Sequence, residues 1–518
     1  MKIIIHEKSK IPLRVLSFPE EEVVLMCTGL TAVFWELSER FPDEIIGWCE
    51  KDLETKIDLE QWGKVFHHDL IMASYAVKTT FLSDSIGYID QLPFVKVNRK
   101  VLYGTWQMSS DIGGIKGKAA GMLKPLLNEI TNFDFLLNSA AKIGQQNGLF
   151  CYSDPGFFKF STENTLRTTS SVKELFLFVY LHYNSVWTNV LLWCFFRYEK
   201  KVPIFSYLQV FRKRKIFRKS INFSEIKINS SYKPEEDKTV DVIIPTIGRP
   251  SHLLQVMEDL KKQSLLPERV IVVEQNPNES AVTELNKLTK EEWPFEVIHH
   301  FINKTGACNA RNIALNETTS NFVFFCDDDN RVPVDTIKVA IKEMDRLGCK
   351  MISTSYRQLD EKLVFGFVKQ WGTFGAGNSI VQSDVLSNVR FSPVFEHGYG
   401  EDKDFGMQLR NSGCDIIYHP GIEILHLKAP IGGFRKEHTQ EWEKELPQPK
   451  PSPTLMALAL RHYSSQQLKG YKTSLILKYY NKQQVKNPIT YIRQMNNRWE
   501  KSKIWAMELL KTSPDFPV

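Results

Sequence analysis

Apolar and polar positions in the second half of the chain follow two alternating periods. VDVII at residues 240–244 is a continuous apolar run. Behind it Leu253, Leu254, Met257 and Leu260 recur at helical spacing, with Ser251 placed to cap that helix. VIVV at 270–273, Val297 with Ile298, FVFFC at 322–326 and Met351 with Ile352 repeat the short-run signature, with helical patterns between them. Strand-sized runs alternating with helices predict right-handed βαβ units, and so an α/β fold with a mainly parallel sheet flanked by helices.

The pattern before residue 238 is different. Residues 1–165 read as an N-terminal α/β domain rich in Trp, Phe and Gly. From 175 to 196 there is no formally charged residue (LFLFVYLHYNSVWTNVLLWCFF). That length fits a membrane span, but His182, Asn184, Ser185, Thr188 and Asn189 fall at its middle, where polar groups are most unfavourable. A buried or interfacial helix is expected instead. FRKRKIFRKS follows, with Arg212, Lys213, Arg214, Lys215, Arg218 and Lys219. An aromatic helix beside such a cluster suits an anionic lipid surface. It equally suits a solvated basic helix face with Phe211 and Phe217 packed inward. The polar stretch NSSYKPEEDKT marks a linker, and from Pro447 a basic, helix-permissive tail carries interleaved aromatics. The chain so divides into 1–165, a helical segment and linker at 166–237, a central domain at 238–435 and a basic helical extension at 436–518.

Composition adds bounds. At 518 residues the chain exceeds what one core holds, so two or three domains are expected. A formal net charge of +6 is too mild to imply nucleic acid by itself. The eight cysteines are scattered without a CxxC pair, which suggests neither a zinc site nor a disulfide framework and points to a cytoplasmic setting. The opening MKIIIHEKSK has too short an apolar stretch for a signal-peptide core.

The chemistry gathers at strand ends. Asp327, Asp328 and Asp329 directly follow FVFFC, and the carboxyl edge of an open α/β sheet is where ligands bind. Three adjacent carboxylates repel one another unless a cation or a donor-rich ligand sits among them. A hard ion such as Mg2+ or Mn2+ suits them, with substrate phosphates completing its shell. Thr246, Arg249 and Glu274 also stand at strand ends, and an acid at the position of Glu274 can accept from a base or a ribose. TGACNARN at 305–312 reads as a helix start whose backbone N–H groups favour phosphate, with Arg311 adding a charged contact. Glu401, Asp402 and Asp404 open an amphipathic helix after GYG; they suit the helix dipole or a general base that takes a proton from an attacking hydroxyl. His419 and His426 read either as packed surface residues or as metal ligands.

Taken in order, PTIGRP, Glu274, GACNARN, FFCDDDN, GAGN at 375–378, GYGEDKDF and a late HLK resemble a family 2 glycosyltransferase of the GT-A fold, over about residues 238–435. The resemblance implies an inverting transfer of a hexosyl or N-acetylhexosaminyl group from a nucleotide-diphosphate sugar to a hydroxyl of a glycan or lipid-linked acceptor. It implies that Asp327, Asp329 and His426 hold Mn2+ or Mg2+, and that Asp402 is the base with Glu401 orienting the acceptor. Thr246, Arg249, Glu274, Arg311, Asp327 and Asp328 would line the donor pocket, and Trp371, Gly377, Asn378 and Glu401 would meet the acceptor. The family often has Asp where this chain has Glu274. Gly432, Gly433, Phe434 and Arg435 would close over the donor. The family and the basic aromatic segment together imply surface-polysaccharide synthesis, peripheral on the inner face of the cell membrane, with no nucleic acid as partner. A sugar nucleotidyltransferase needs a Gly-rich, Arg-containing phosphate loop, which PTIGRP fits poorly. A non-catalytic carbohydrate-binding or scaffold protein on the same fold is the alternative.

The N-terminal domain resembles a worn copy of the same fold. Trp106 to Gly114 parallels Trp371 to Gly377, and Asp154-Pro155-Gly156 parallels His419-Pro420-Gly421. Asn132-Phe133-Asp134-Phe135 is matched to Asp402-Lys403-Asp404-Phe405. On that alignment Asn132 replaces the base, Ser161 falls where His426 stands, and no acidic triplet precedes.

Overall fold

The computed structural model describes residues 1–158, 166–213, 215, 220–428 and 439–511. Ser161, Arg214, Phe217, Arg218, Lys219 and the segment Gly432, Gly433, Phe434 and Arg435 expected to close over the donor lie outside the described residues. The chain forms two compact units, one of residues 1–232 and 463–477, the other of 233–462 and 478–518. Of the segment 166–237, read from the sequence as separate, residues 166–232 belong to the first unit and 233–237 to the second, and the C-terminal extension is shared out between the two.

In the first unit, β1 (Lys2–Glu7) and β2 (Ile11–Ser17) form an antiparallel hairpin. β3 (Ile45–Glu50) and β4 (Ile71–Tyr75) follow. β5 (Thr79–Thr80) pairs separately with β9 (Arg167–Thr168). β6 (Tyr103–Gly104), β7 (Ile112–Lys116) and β8 (Phe150–Ser153) complete a seven-stranded sheet in the order β2-β1-β3-β7-β4-β8-β6. Glycine in β7 answers a packing demand. A Cβ at Gly113 would lie 2.6 Å from both the Ala73 carbonyl and the Trp48 ring. The helix Phe133–Gln146 is buried along nearly its whole length, the polar Asp134, Asn138, Ser139, Lys142 and Gln145 included.

The uncharged run at 175–196 breaks where its polar residues cluster. One helix spans Val172–His182, started by a Ser171–Glu174 capping box, and a second spans Ser185–Cys194. No helix among the described residues is long and apolar enough to cross a membrane.

The second unit carries a nine-stranded sheet. Its strands are β10 (Val240–Thr246), β11 (Arg269–Gln275), β12 (Glu296–Ile302), β13 (Phe322–Cys326), β14 (Asn330–Arg331), β15 (Met351–Arg357), β16 (Lys369–Gln370), β17 (Asn378–Gln382) and β18 (Ile417–His426). Along β12-β11-β10-β13 all neighbours are parallel; β17 is antiparallel to β13 and β15, and β15 is parallel to β18. The parallel part is buried on both faces, so β10, β11 and β13 read as continuous apolar runs. This is the GT-A arrangement.

The two sheets share a plan. The neighbours β1-β3-β7-β4-β8-β6 have the same senses, pair by pair, as β10-β13-β17-β15-β18-β16. Laying Cys49 on Cys326 brings the registers into line. Ser74 then falls on Ser353, and Asp154-Pro155-Gly156 falls on His419-Pro420-Gly421, as the sequence parallel has it. The first unit departs at one edge. The parallel strands β11 and β12 have no counterpart there, and the hairpin strand β2 takes the place of β11.

Candidate functional site

The carboxyl ends of β10, β11, β13 and β15, with the start of the helix Glu401–Asn411, surround a cleft of about 720 Å3 in the second unit. Thr246, Arg249, Arg311, Asp327, Asp328, Asp329, Gly377, Asn378, Glu401, Asp402 and His426 all line it. That places eleven of the thirteen predicted site residues in one cavity.

The acidic triplet is not left to repel itself. Asp328 is buried; it accepts from the Thr246 hydroxyl at 2.7 Å and from Arg249 Nη1 at 2.7 Å. Burial pushes its carboxyl up to about 6, against the pull of Arg249 and Thr246. Arg249 Nη1 also reaches Asp329 Oδ2 at 3.2 Å. Asp327, the most exposed of the three, accepts from Arg311 Nη2 at 2.9 Å and from the Tyr356 hydroxyl at 3.2 Å. Gly377 is what lets Asp327 stand there, since a Cβ at that glycine would lie 2.1 Å from its Oδ2.

On the far wall, Asp402 is held differently. Part of the residue meets solvent, but its Oδ1 is closed off and has no hydrogen-bond partner. Burial, then the neighbouring Glu401 and Asp327, raise its carboxyl to about 7, while Arg311 and the Ala376 N–H pull the other way. Burial raises the Glu401 carboxyl as well. A carboxyl poised near neutrality in a cleft, short of a donor, is equipped to take up a proton.

A metal ion fits this donor set only in part. Asp329 Oδ1 and His426 Nε2 approach to 3.5 Å, and the His426 ring is steadied by stacking on Tyr356 at 4.5 Å. Asp327 faces the same cleft, but no group of three Asp, Glu, His or Cys side chains among the described residues is arranged to hold a metal unaided. Oxygens from a bound phosphate would be needed to complete a shell, which is how Mg2+ is ordinarily bound.

Two predicted residues fall elsewhere. Glu274 is turned away from the cleft; it accepts from the Thr283 hydroxyl at 2.5 Å and the Glu284 N–H at 3.1 Å, and meets His299 Nε2 at 2.9 Å. Its successor Gln275 faces the cleft and accepts from the Gly306 N–H at 2.6 Å. Successive strand residues point to opposite faces, so the reading was off by one position. Trp371 is also outside the lining; it packs against Phe365 and Tyr418. The helix start expected to take phosphate is already served. The N–H groups of Cys308 and Asn309 donate to Glu396 at 3.1 and 2.8 Å. Sequence reasoning missed Tyr356, Gln275 and Glu396. Tyr356 sits near the carboxyl end of β15 and was findable by the strand-edge rule; Glu396 lies in a loop that carried no signal.

Comparison with known proteins agrees in kind. Residues 241–378 match the glycosyl transferase family 2 domain. The succinoglycan biosynthesis protein ExoM of Rhizobium meliloti is 24% identical over 206 residues, 36% of this chain and 66% of that protein. An uncharacterized glycosyltransferase of Rickettsia bellii is 26% identical over 126 residues, 24% of this chain and 18% of that one. The chain therefore spans less than two thirds of the length of these relatives. Among solved structures, S. aureus TarS 1–349 in complex with UDP-GlcNAc aligns at a TM-score of 0.38 and 15% identity, over 54% of this chain and 82% of that one.

Proposed function

We propose that this chain, which carries a family 2 glycosyltransferase domain at residues 241–378, moves a sugar from a nucleotide-diphosphate donor to an acceptor hydroxyl with inversion. The observation that carries the reading is Asp402, a carboxyl near neutrality with an unpartnered oxygen, in the same cleft as the acidic triplet. Asp402 takes the proton as the acceptor oxygen forms its bond to the anomeric carbon. The bond from that carbon to the diphosphate oxygen breaks on the opposite face, so one displacement inverts the centre. Arg311 and Arg249, already among the acids, offer positive charge to the departing diphosphate. A Mn2+ or Mg2+ ion held by Asp327, Asp329 and His426 together with the donor phosphates would neutralise further charge there. Likeness to a succinoglycan biosynthesis protein supports a polysaccharide as the product class.

Thermal unfolding with UDP-, GDP-, CMP- and dTDP-sugars, with and without Mn2+, tests this. One nucleotide class is expected to raise the midpoint when Mn2+ is present, because ligand binding stabilises by mass action. The shift should vanish with EDTA and in Asp329→Ala. Folded protein that responds to no donor would instead support a non-catalytic scaffold.

The membrane part of the reading rests on the first unit. Trp193, Phe196, Phe205, Leu208 and Phe211 are 43–79% exposed along one short stretch of chain. Exposed Arg197, Lys200, Lys201, Arg212 and Lys213 are interleaved with them. Apolar side chains mixed with cations match an anionic bilayer surface. The protein should co-sediment with phosphatidylcholine vesicles containing phosphatidylglycerol and much less with phosphatidylcholine alone. Phe205→Glu combined with Trp193→Glu should reduce that binding about tenfold or more, and unchanged sedimentation of the double variant would remove the membrane reading.

A further inference from the structure

The first unit keeps one half of the shared plan and closes the other. With Cys49 laid on Cys326, Glu50 and Asp52 stand at the positions of Asp327 and Asp329, and Asp111 stands at that of Gly377. In the second unit Gly377 leaves room for the Asp327 carboxylate. In the first, Asp111 puts a side chain there and ties down the passing chain. It accepts from the N–H groups of Val77, Lys78 and Thr79 and from the Thr79 hydroxyl, at 2.6 to 2.9 Å. Lys78 pairs with Asp52 at 2.7 Å. The strands that correspond to the donor side of the second unit, β11 and β12, are missing. The helix starts also correct the sequence alignment. Asn132 caps its helix as Gly400 caps the other, so Asp134, not Asn132, corresponds to Asp402. Asp134 is buried with its carboxyl raised by that burial, and it bonds to Ser110 where Asp402 bonds to Ala376.

The other half stays open. At the carboxyl ends of β4 and β8 lies a separate cavity of about 290 Å3. Its lining includes the polar Ser74, Ser109, Gln107 and Asn138 and the apolar Phe81 and Val97. Ser153 lines it too. It is 5% exposed, and its hydroxyl has no hydrogen-bond partner among the described residues. Arg99 and Lys96 also line the cavity as exposed cations. The Asn138 amide is spent on Met108 and Asp134, and the Ser74 and Ser109 hydroxyls already donate to Met108 and Thr79, so Gln107 and Ser153 are the uncharged groups left to meet a ligand. Polar groups beside apolar side chains match a pyranose ring, which has hydroxyl edges and C–H faces. The Ser153 hydroxyl is left to bond whatever occupies the cavity, a ligand or water. Ser109 and Gln107 fall near the positions of Gly375 and Thr373, beside the segment expected to meet the acceptor. We infer that the first unit is a non-catalytic saccharide-binding domain, a duplicated GT-A fold that has lost its donor half and binds a sugar unit in the cavity around Ser153.

Saturation-transfer NMR on the full chain, with glucose, galactose, N-acetylglucosamine, N-acetylgalactosamine and glucuronic acid as probes, tests this. At least one sugar should give signal. That signal should persist in Asp327→Asn, which alters only the cleft of the second unit, and disappear in Ser153→Leu, which fills the cavity. Arg99→Ala with Lys96→Ala, two exposed changes that spare the fold, should weaken binding about tenfold if a charged contact is lost. No signal with any probe, or signal abolished by Asp327→Asn and retained in the Ser153 and Arg99 variants, would overturn the inference. Because the donor-dependent thermal shift reads the other unit, either result can fail without the other.

Discussion

Replacing Asp402 by Asn should abolish most transfer while making the folded protein more stable above neutral pH. Loss of a positioned base lowers the rate by about 10²–10⁴-fold. The amide can still accept from the Ala376 N–H, so donor binding should survive. In the unmodified protein, kcat/KM should rise with pH through about 7, as Asp402 loses its proton in the free enzyme. The stability effect follows from the same carboxyl. Its unfolded value is near 3.8 and its folded value about 7. Below pH 4 both states are protonated and the group contributes nothing to the balance. As pH rises from 4 to 7 the unfolded chain ionises while the folded one holds its proton, so the native state loses about 1.4 kcal/mol per unit. Beyond 7 both ionise and the deficit is constant, at most about 4 kcal/mol. Asp402→Asn removes that deficit. Its melting temperature should match the parent at pH 4 and exceed it at pH 8. A parent-like rate in the variant would remove Asp402 from the chemistry, and a lower melting temperature at pH 8 would show that its buried charge is compensated.

The same physics explains what was legible in the sequence. FVFFC could only be a buried strand, and acids directly after a parallel strand must emerge at its carboxyl edge, so Asp327 to Asp329 were found with their neighbours Thr246 and Arg249. A strand end fixes the edge but not the face. Glu274 and Gln275 differ only in the parity of the strand, which depends on packing that the local pattern does not encode. Trp371 was misplaced because an aromatic beside a motif looks functional until its ring partners are known: Phe365, six residues earlier, and Tyr418, from the distant strand β18. The duplicated unit shows the same limit. Asp154-Pro155-Gly156 kept its register because strand pairing enforces it. The match of Asn132 to Asp402 slipped by two because only the helix start reveals where the first turn begins. Glu396, which serves the start of the helix Ala307–Asn316, arrives from a loop with no motif at all.

Asp404 is two residues from Asp402 and should behave in the opposite way. Both were read as one acidic helix start, yet the helix turns Asp402 toward the cleft and Asp404 into the core, where it is fully buried. There it accepts from Arg461 Nη1 at 2.9 Å, His462 Nε2 at 2.7 Å and Gln408 Nε2 at 2.8 Å. Arg461 and His462 end the helix Pro453–His462, so this one carboxylate joins two helices of the second unit. Asp404→Ala leaves a buried guanidinium facing a cavity instead of a counter-charge, and breaking such a pair by removing one partner costs about 3–5 kcal/mol. Asp404→Asn keeps an acceptor oxygen and should cost less. Hydrogen exchange read by mass spectrometry separates the outcomes locally. In Asp404→Ala, amides of the Glu401–Asn411 and Pro453–His462 helices should exchange about a hundredfold faster or more, while those of Phe133–Gln146 keep their protection. In Asp402→Asn at pH 8 the Glu401–Asn411 amides should slow instead. Equal protection in both variants would mean that the first turn of this helix does not divide its acids between the core and the cleft.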